Sequence, residues 1–197
     1  MRLICTLLIL TTSAPAWAAS PDEVNHLLRQ AGVADPAPGT HYTLRDDGAG
    51  AYVDWWAPTN PITKPTPADL TDTAASATYK TDLAQRRAKE RARELERASR
   101  SYITTTTNGD SRYPDHVLIG LLQALRKAEK AGAAAKAARL TAVDTWLNQV
   151  QGYYYTKKSE LGVAAATGDP AQVEAVTWDF AQFDATDPGV TLLESAQ

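Results

Sequence analysis

"YVDWWAPTNPITKPTPADL", Tyr52 to Leu70, divides this chain of 197 residues into two kinds of text. Up to Trp56 it has the aromatic and β-branched composition of a strand. Pro58, Pro61, Pro65 and Pro67 then remove backbone donors and fix φ, so neither a helix nor an inner strand runs on. Residues 58–67 are therefore expected to form an extended, polyproline-like spacer, an arm beside the adjacent rings of Trp55 and Trp56.

Upstream, "HYTLRDDGAGAYVDWW" (41–56) places two such runs around Asp46-Asp47-Gly48-Ala49-Gly50, a β-hairpin signal. Strict alternation puts Tyr52, Asp54 and Trp56 on one face and Val53 and Trp55 on the other, so one indole packs inward while its neighbour faces water. Before the hairpin, Ser20-Pro21-Asp22-Glu23 combines an N-cap residue, proline at the first helical position and a glutamate three residues on. Val24, Leu27, Leu28 and Ala31 follow at helical spacing, and Gly32 ends the helix. A lone hairpin is marginal in water, so helix and hairpin together make a small α/β module over 19–57.

Downstream, Thr66, Pro67 and Asp69 open a helix whose small or apolar positions Leu70, Ala74, Ala77, Thr81, Ala84, Ala88, Ala92, Leu95, Ser99 and Tyr102 approximate a heptad seam. Alanine buries little area, so this seam needs a close neighbour. "ITTTTNGDSRYP" (103–114) breaks the pattern, most sharply at Asn108-Gly109. A further helix from Pro114 carries Val117, Leu118, Leu121, Leu122 and Leu125, the richest aliphatic face and the expected core. Gly132 is the expected corner before a stripe of Val143, Trp146, Leu147, Val150, Tyr153 and Tyr154. The fold class that emerges is mainly α: long antiparallel helices, as a helical hairpin or bundle over 68–168, follow the α/β module and its Pro-rich linker. A short helix capped at Asp169-Pro170 and an extended, irregular C-terminal tail with a Pro-Gly turn fill 169–197.

The first 18 residues read differently again. Arg2, the apolar run Leu3 to Leu10 and Ala16-Trp17-Ala18 form a signal-like segment with a small-x-small cleavage pattern. Eight apolar residues fall short of the ~20 that a helix needs to cross a bilayer, so no permanent membrane anchor is expected. The one cysteine, Cys5, lies in this segment, and the chain after it has no disulfide, thiol nucleophile or cysteine metal site.

Chemistry-bearing motifs are sparse. His26, His41 and His116 share no metal-site spacing and read as surface or capping residues; Asp179, Asp184 and Asp187 miss the pattern of a calcium loop and read as caps and turns. No nucleophile elbow, phosphate-binding glycine loop or dinucleotide fingerprint is present, so neither catalytic residues nor a cofactor is expected. "RRAKERARELERASR" (86–100) holds seven basic and three acidic residues, but Arg86 with Glu90 and Glu96 with Arg100 lie at i, i+4, as on a solvated helix face. No aromatic residues interleave these charges to stack bases, which argues against nucleic acid as a partner. The candidate contact residues are Trp55, Trp56, Pro58, Pro61 and the run Tyr153-Tyr154-Tyr155. Three consecutive tyrosines on a helix span about 200° of arc, so at least one faces outward, and aromatic rings are the usual anchors of protein contacts.

"LLRQAGV", "YTLRDDGAGAYVDWW" and "KPTPADL", within residues 24–70, resemble the N-terminal module of small proteins encoded in tail gene clusters of tailed bacteriophages, of the tail fibre assembly or tail assembly chaperone-like kind. The resemblance implies a structural or assembly role without catalysis, in the virion or host cytoplasm, with other protein subunits or further copies of the chain as partners. The signal-like segment implies instead an exported, periplasmic or secreted helical binding or adaptor protein contacting envelope proteins. Met1 is the one methionine, and a shorter product beginning at Val24 would reconcile the tail resemblance with the N-terminus.

Overall fold

The structure, a computed structural model, describes residues 19–47, 51–105, 113 and 115–188, without the side chains of 115, 116, 117 and 119. The signal-like segment, the hairpin tip at Gly48-Ala49-Gly50, the break at Asn108-Gly109, Pro114, the glycine of the Pro-Gly turn and the final residues lie outside it, as do the side chains of His116 and Val117. The architecture is mainly helical, with one two-stranded antiparallel hairpin and long helices. It divides into two compact units, Met1–Lys80 and Thr81–Gln197.

The first unit contains α1 (Pro21–Gln30), β1 (Tyr42–Asp46), β2 (Ala51–Trp56) and α2 (Pro67–Ala75). Glu23 accepts from the Ser20 amide at 2.8 Å and from the Ser20 hydroxyl, which closes the N-terminus of α1. Gly32 at φ 93° ends it, and the Val33 amide turns back to the Leu28 carbonyl at 2.9 Å. Ala19, Val24, Leu28, Tyr42, Val53 and Leu70 form the core of this unit. Ala19 is part of that core, and its amide donates to the Ala51 carbonyl at 2.9 Å. Residues 19–23 are thus integral to the module, which argues against a product that begins at Val24.

Three expectations change here. Strict alternation in β2 fails, because Thr43 pairs with Trp55 and Leu44 with Val53, so Asp54 is the extra residue of a β-bulge. The bulge turns Val53 and Trp56, three apart, onto the same core face and leaves Trp55 outside. Next, residues 58–67 are no free spacer: the Trp56 indole donates to the Ile62 carbonyl at 3.0 Å, the Asn60 amide group to the His41 carbonyl at 2.8 Å and Lys64 to the Asp54 carbonyl at 3.0 Å. The prolines shape a loop that folds back on the hairpin. Last, the helix opened by Thr66 stops at Ala75. Ser76 is extended (φ −69°, ψ 141°), and its hydroxyl accepts from the Tyr79 amide to start α3 (Ala77–Thr104). α2 accordingly belongs to the first unit, and the division falls at Lys80 rather than at the proline segment. The phase shift at Ser76 also exposes Ala77 and buries Tyr79 in its place.

In the second unit, Ala84, Leu95 and Ser99 of α3 are buried and Ala88, Ala92 and Tyr102 half-buried, following the alanine seam. α4 (Asp115–Lys130) and α5 (Ala134–Ala166) are separate helices joined at Gly132, whose φ of 66° suits the corner. Leu121 is buried and Leu118 and Leu125 half-buried, but Leu122 is exposed, so the aliphatic face of α4 is wider than the core it meets. Leu140, Val143, Trp146, Val150 and Leu161 fill the inner side of α5. α6 (Pro170–Glu174) starts where Asp169 accepts from the Ala171 amide at 2.9 Å. Of the stretch expected to be extended, 183–195, the first four residues lie instead in a 3-10 turn over Ala181–Thr186, Asp187 is extended, and 189–195 lie outside the described residues. α6 contributes Val173 to the core, and the irregular segment after it contributes Phe180. No helix among the described residues is long and apolar enough to cross a membrane.

Two glycines separate backbone strain from crowding. Gly132 has nothing near an added Cβ, whereas at Gly168 (φ 73°) a Cβ would meet Thr81 Oγ1 at 2.8 Å. Gly132→Ala should cost about 1 kcal/mol, the ordinary left-handed penalty. Gly168→Ala should cost more in denaturant melts, and Thr81→Ala should recover the excess but not the backbone share.

Candidate functional site

The aromatic contact candidates fall into two places, one in each unit. In the first, Trp55 is exposed opposite Thr43, whose hydroxyl accepts from the Trp55 amide at 3.2 Å. Trp56 is half-buried and tied to Ile62, Pro58 and Pro61 are exposed, and Pro65 is buried. Of the indole pair, then, Trp55 is the ring that faces solvent.

In the second unit, the tyrosine run fans around α5. Tyr153 turns inward: it meets Phe180 and Phe183 edge-on, with centroids at 5.4 and 5.5 Å, and its hydroxyl accepts from the Asp179 amide at 3.0 Å. Tyr154 is half-buried, with Lys158 5.7 Å from its ring centroid. Tyr155 is 58% exposed and edge-on to Tyr154 at 5.2 Å. The expectation that at least one ring faces outward holds, and Tyr155 is that ring.

Tyr155 borders two surface depressions. A groove of about 530 Å³ lies between α3, α4 and α5; Ile103, Leu118 and Leu147 make it apolar, Tyr154 and Tyr155 wall one side, and Glu96 and Arg100 stand at the rim. A shallower trough of about 840 Å³ runs along α5 past Ser159 and Val163 toward Gln172 and Val176. Val163, two turns beyond Tyr155 on the same side of the helix, is 68% exposed. Sequence reasoning missed Val163 and the groove residues Ile103, Leu118 and Leu147. The spacing of eight between Tyr155 and Val163 was visible, but which helices close the groove was not.

The charged run on α3 is not uniformly a solvated face. Arg86 pairs with Asp82 at 3.4 Å rather than with Glu90, which pairs with Arg87 at 3.3 Å. Arg91 reaches across to the C-terminal segment, donating to the Val176 carbonyl and lying 4.4 Å from the Trp178 ring centroid, with Glu174 at 4.0 Å. It is a strap inside the second unit.

Other polar groups read as structural. His26 is buried, contrary to a surface role, with its ring edge-on to Tyr79 at 5.4 Å. His41 accepts from the Ala37 amide at 3.2 Å. Asp184 and Asp187 accept from the hydroxyls of Tyr102 and Tyr113 at 2.7 and 2.6 Å, and Asp179 from the Ala181 amide. Among the described residues no cluster of three or more metal-ligating side chains occurs. Hydrogen bonds from the Thr66 amide and hydroxyl hold the Asp69 carboxyl below its usual range, and Glu160 raises the Lys157 ammonium. Burial, then the nearby Glu23 carboxylate, pushes the Tyr79 phenol up to about 12; burial, then Asp22, does the same for Tyr42. Compared with protein-family models, with curated proteins and with solved structures, the chain finds no match in any of the three.

Two measurements check this geometry. Trp56→Ala should lower the stability of the first unit by about 2 kcal/mol, less than the ~3–5 kcal/mol of a fully sealed ring, while Trp55→Ala leaves the melt nearly unchanged. Tyr42 and Tyr79 should resist ionisation in an ultraviolet titration. Their raised values favour the protonated phenol in the folded state, so the linked stability is present below pH 10 and is lost as pH rises toward about 12.

Proposed function

We propose that this chain is a non-enzymatic structural or assembly protein that works through protein–protein contacts, associated with a bacteriophage tail. The observation that carries the docking role is Tyr155, an exposed ring at the junction of an apolar groove and a trough that no described side chain fills. A groove floored by Ile103, Leu118 and Leu147 and rimmed by Glu96 and Arg100 suits one apolar side chain flanked by polar groups on another protein. Trp55 offers a second, smaller anchor on the first unit. Tail association rests on the resemblance carried by residues 24–70 and places the protein in the virion or host cytoplasm.

A second reading has its own support. Ala19, the residue after Ala16-Trp17-Ala18, enters the core and the backbone hydrogen bonding of the first unit, and Ser20 and Glu23 cap α1. A chain cleaved after Ala18 keeps all of these contacts, whereas one started at Val24 loses them. That favours export, with the same surface serving a periplasmic or secreted adaptor.

A photo-crosslinking amino acid placed at Tyr155, and at exposed Glu129 as control, tests the docking role in the cells that make the protein. Capture of another polypeptide from position 155 and none from 129 is expected; no polypeptide captured at 155 would overturn the reading. Sequencing the N-terminus of the same product separates the settings, since a start at Ala19 supports export and retention of Met1 supports the tail role.

A further inference from the structure

The first unit buries a carboxylate among neutral donors. Glu23 is 6% exposed, and its described donors are the Ser20 amide at 2.8 Å, the Ser20 hydroxyl and the Tyr79 hydroxyl at 3.1 Å. None of the described salt bridges includes it. Buried charges are as a rule paired as well as hydrogen-bonded, so a cation is wanted close to Glu23.

The backbone nitrogen of Ala19 is in place to become one. Ala19 is 8% exposed, and its nitrogen donates to the Ala51 carbonyl at 2.9 Å. Consecutive backbone nitrogens are at most roughly 3.7 Å apart, so this atom lies within roughly 6.5 Å of Glu23 Oε2, which the Ser20 amide touches. Opposite charges at about that separation still favour one another in a partly buried site. With Ala18 attached, however, the nitrogen is a neutral amide.

We propose that hydrolysis of the Ala18–Ala19 bond turns this nitrogen into the counter-charge of Glu23, so that proteolytic maturation completes the polar core of the first unit. The inference rests on the export reading above and gives its cleavage a structural consequence. Water adds across the peptide bond: its oxygen goes to the Ala18 carbonyl carbon, which leaves as a carboxylate, and both its protons end on Ala19 as an α-ammonium. One N–H keeps the bond to Ala51. The N-terminus of α1, equivalent to about half a positive charge, opposes an ammonium there, but Asp22 and Glu23 in its first turn outweigh that half charge. Lys64, which shares a recess with Ala19, is turned to the Asp54 carbonyl at 3.0 Å. The Tyr42 and Tyr79 phenols, pushed up to about 12, stay neutral at ordinary pH.

The test compares a chain beginning at Ala19, which retains every described residue, with the same chain acetylated at its N-terminus. The acetyl group stands for the Ala18 carbonyl and Cα, so it keeps the amide and its hydrogen bond and withholds only the charge. At pH 6 an ordinary α-amino group, with a pKa of about 8, is protonated. The free-amine chain should then protect the amides of β1 and β2 from hydrogen exchange about tenfold better than the acetylated one, and Glu23→Gln should abolish that difference. Equal protection, better protection in the acetylated chain, or a difference that persists in Glu23→Gln would overturn the counter-charge. Should Glu23→Gln not fold, labelling of the Ala19 amine by an amine-reactive ester decides: it should run about tenfold slower in the folded chain than in urea, and equal rates would overturn the proposal. Sequencing the native N-terminus separates the two ideas. A retained Met1 removes the source of the ammonium and overturns the proposal together with export; a start at Ala19 without the difference in protection leaves export standing and overturns the counter-charge alone.

Discussion

Because α3 presents mostly alanine to its neighbours and no cysteine follows Cys5, the second unit depends on the ring of Trp146. It is 1% exposed and lies 5.8 Å from the Tyr102 ring and 5.3 Å from the Tyr113 ring, each measured between centroids. A large aromatic ring removes about 150–250 Å² from water, area that a seam of methyl groups cannot supply. Its indole also donates to the Phe183 carbonyl at 3.0 Å, while the two neighbouring phenols donate to Asp184 and Asp187. One apolar cluster thereby gathers helices and, through its polar rims, holds a C-terminal segment that has little regular structure of its own.

That arrangement decides which surface of α5 is left over. With Trp146 and the residues in phase with it turned inward, the tyrosines spread from the core at Tyr153, through the groove wall at Tyr154, to solvent at Tyr155. Arg91, strapping Val176 and Trp178 to α3, sets the position of the C-terminal segment that borders the trough. The exposed surface of α5 is thus a consequence of how the core was filled. Its chemistry is apolar and aromatic, with Glu96 and Arg100 at the groove and Glu160 along the trough.

The first unit reaches stability by a different route. Its core is small, and polar groups complete it: Glu23, 6% exposed, receives hydrogen bonds from Ser20 and from the Tyr79 hydroxyl at 3.1 Å, and Tyr42 donates to Asn25 at 2.9 Å. A buried carboxylate is tolerable because its oxygens are satisfied. Glu23 therefore serves twice, as part of the cap of α1 and as the acceptor for a phenol delivered from the first turn of α3, so the residues just ahead of Val24 are structural.

Local rules were legible in the residues themselves. The caps at Ser20, Thr66 and Asp169, the stops at Gly32 and Gly132, the hairpin and the alanine seam from Ala84 to Tyr102 all depend on neighbours within a turn or two, and a sequence displays such neighbours directly. Proline's missing donor and fixed φ were equally legible, but not the direction in which the chain would turn, which the Trp56 indole decided by reaching Ile62. The bulge at Asp54, the burial of His26 and the strap made by Arg91 each arise from partners on other elements. So does the identity of the outward ring among three equal tyrosines. Sequence alone determined where most helices and the hairpin would start and stop, because those preferences are set by local backbone sterics and hydrogen bonding; tertiary packing alone decided which faces were buried and which stayed exposed, because burial is a competition among distant side chains for the same limited volume.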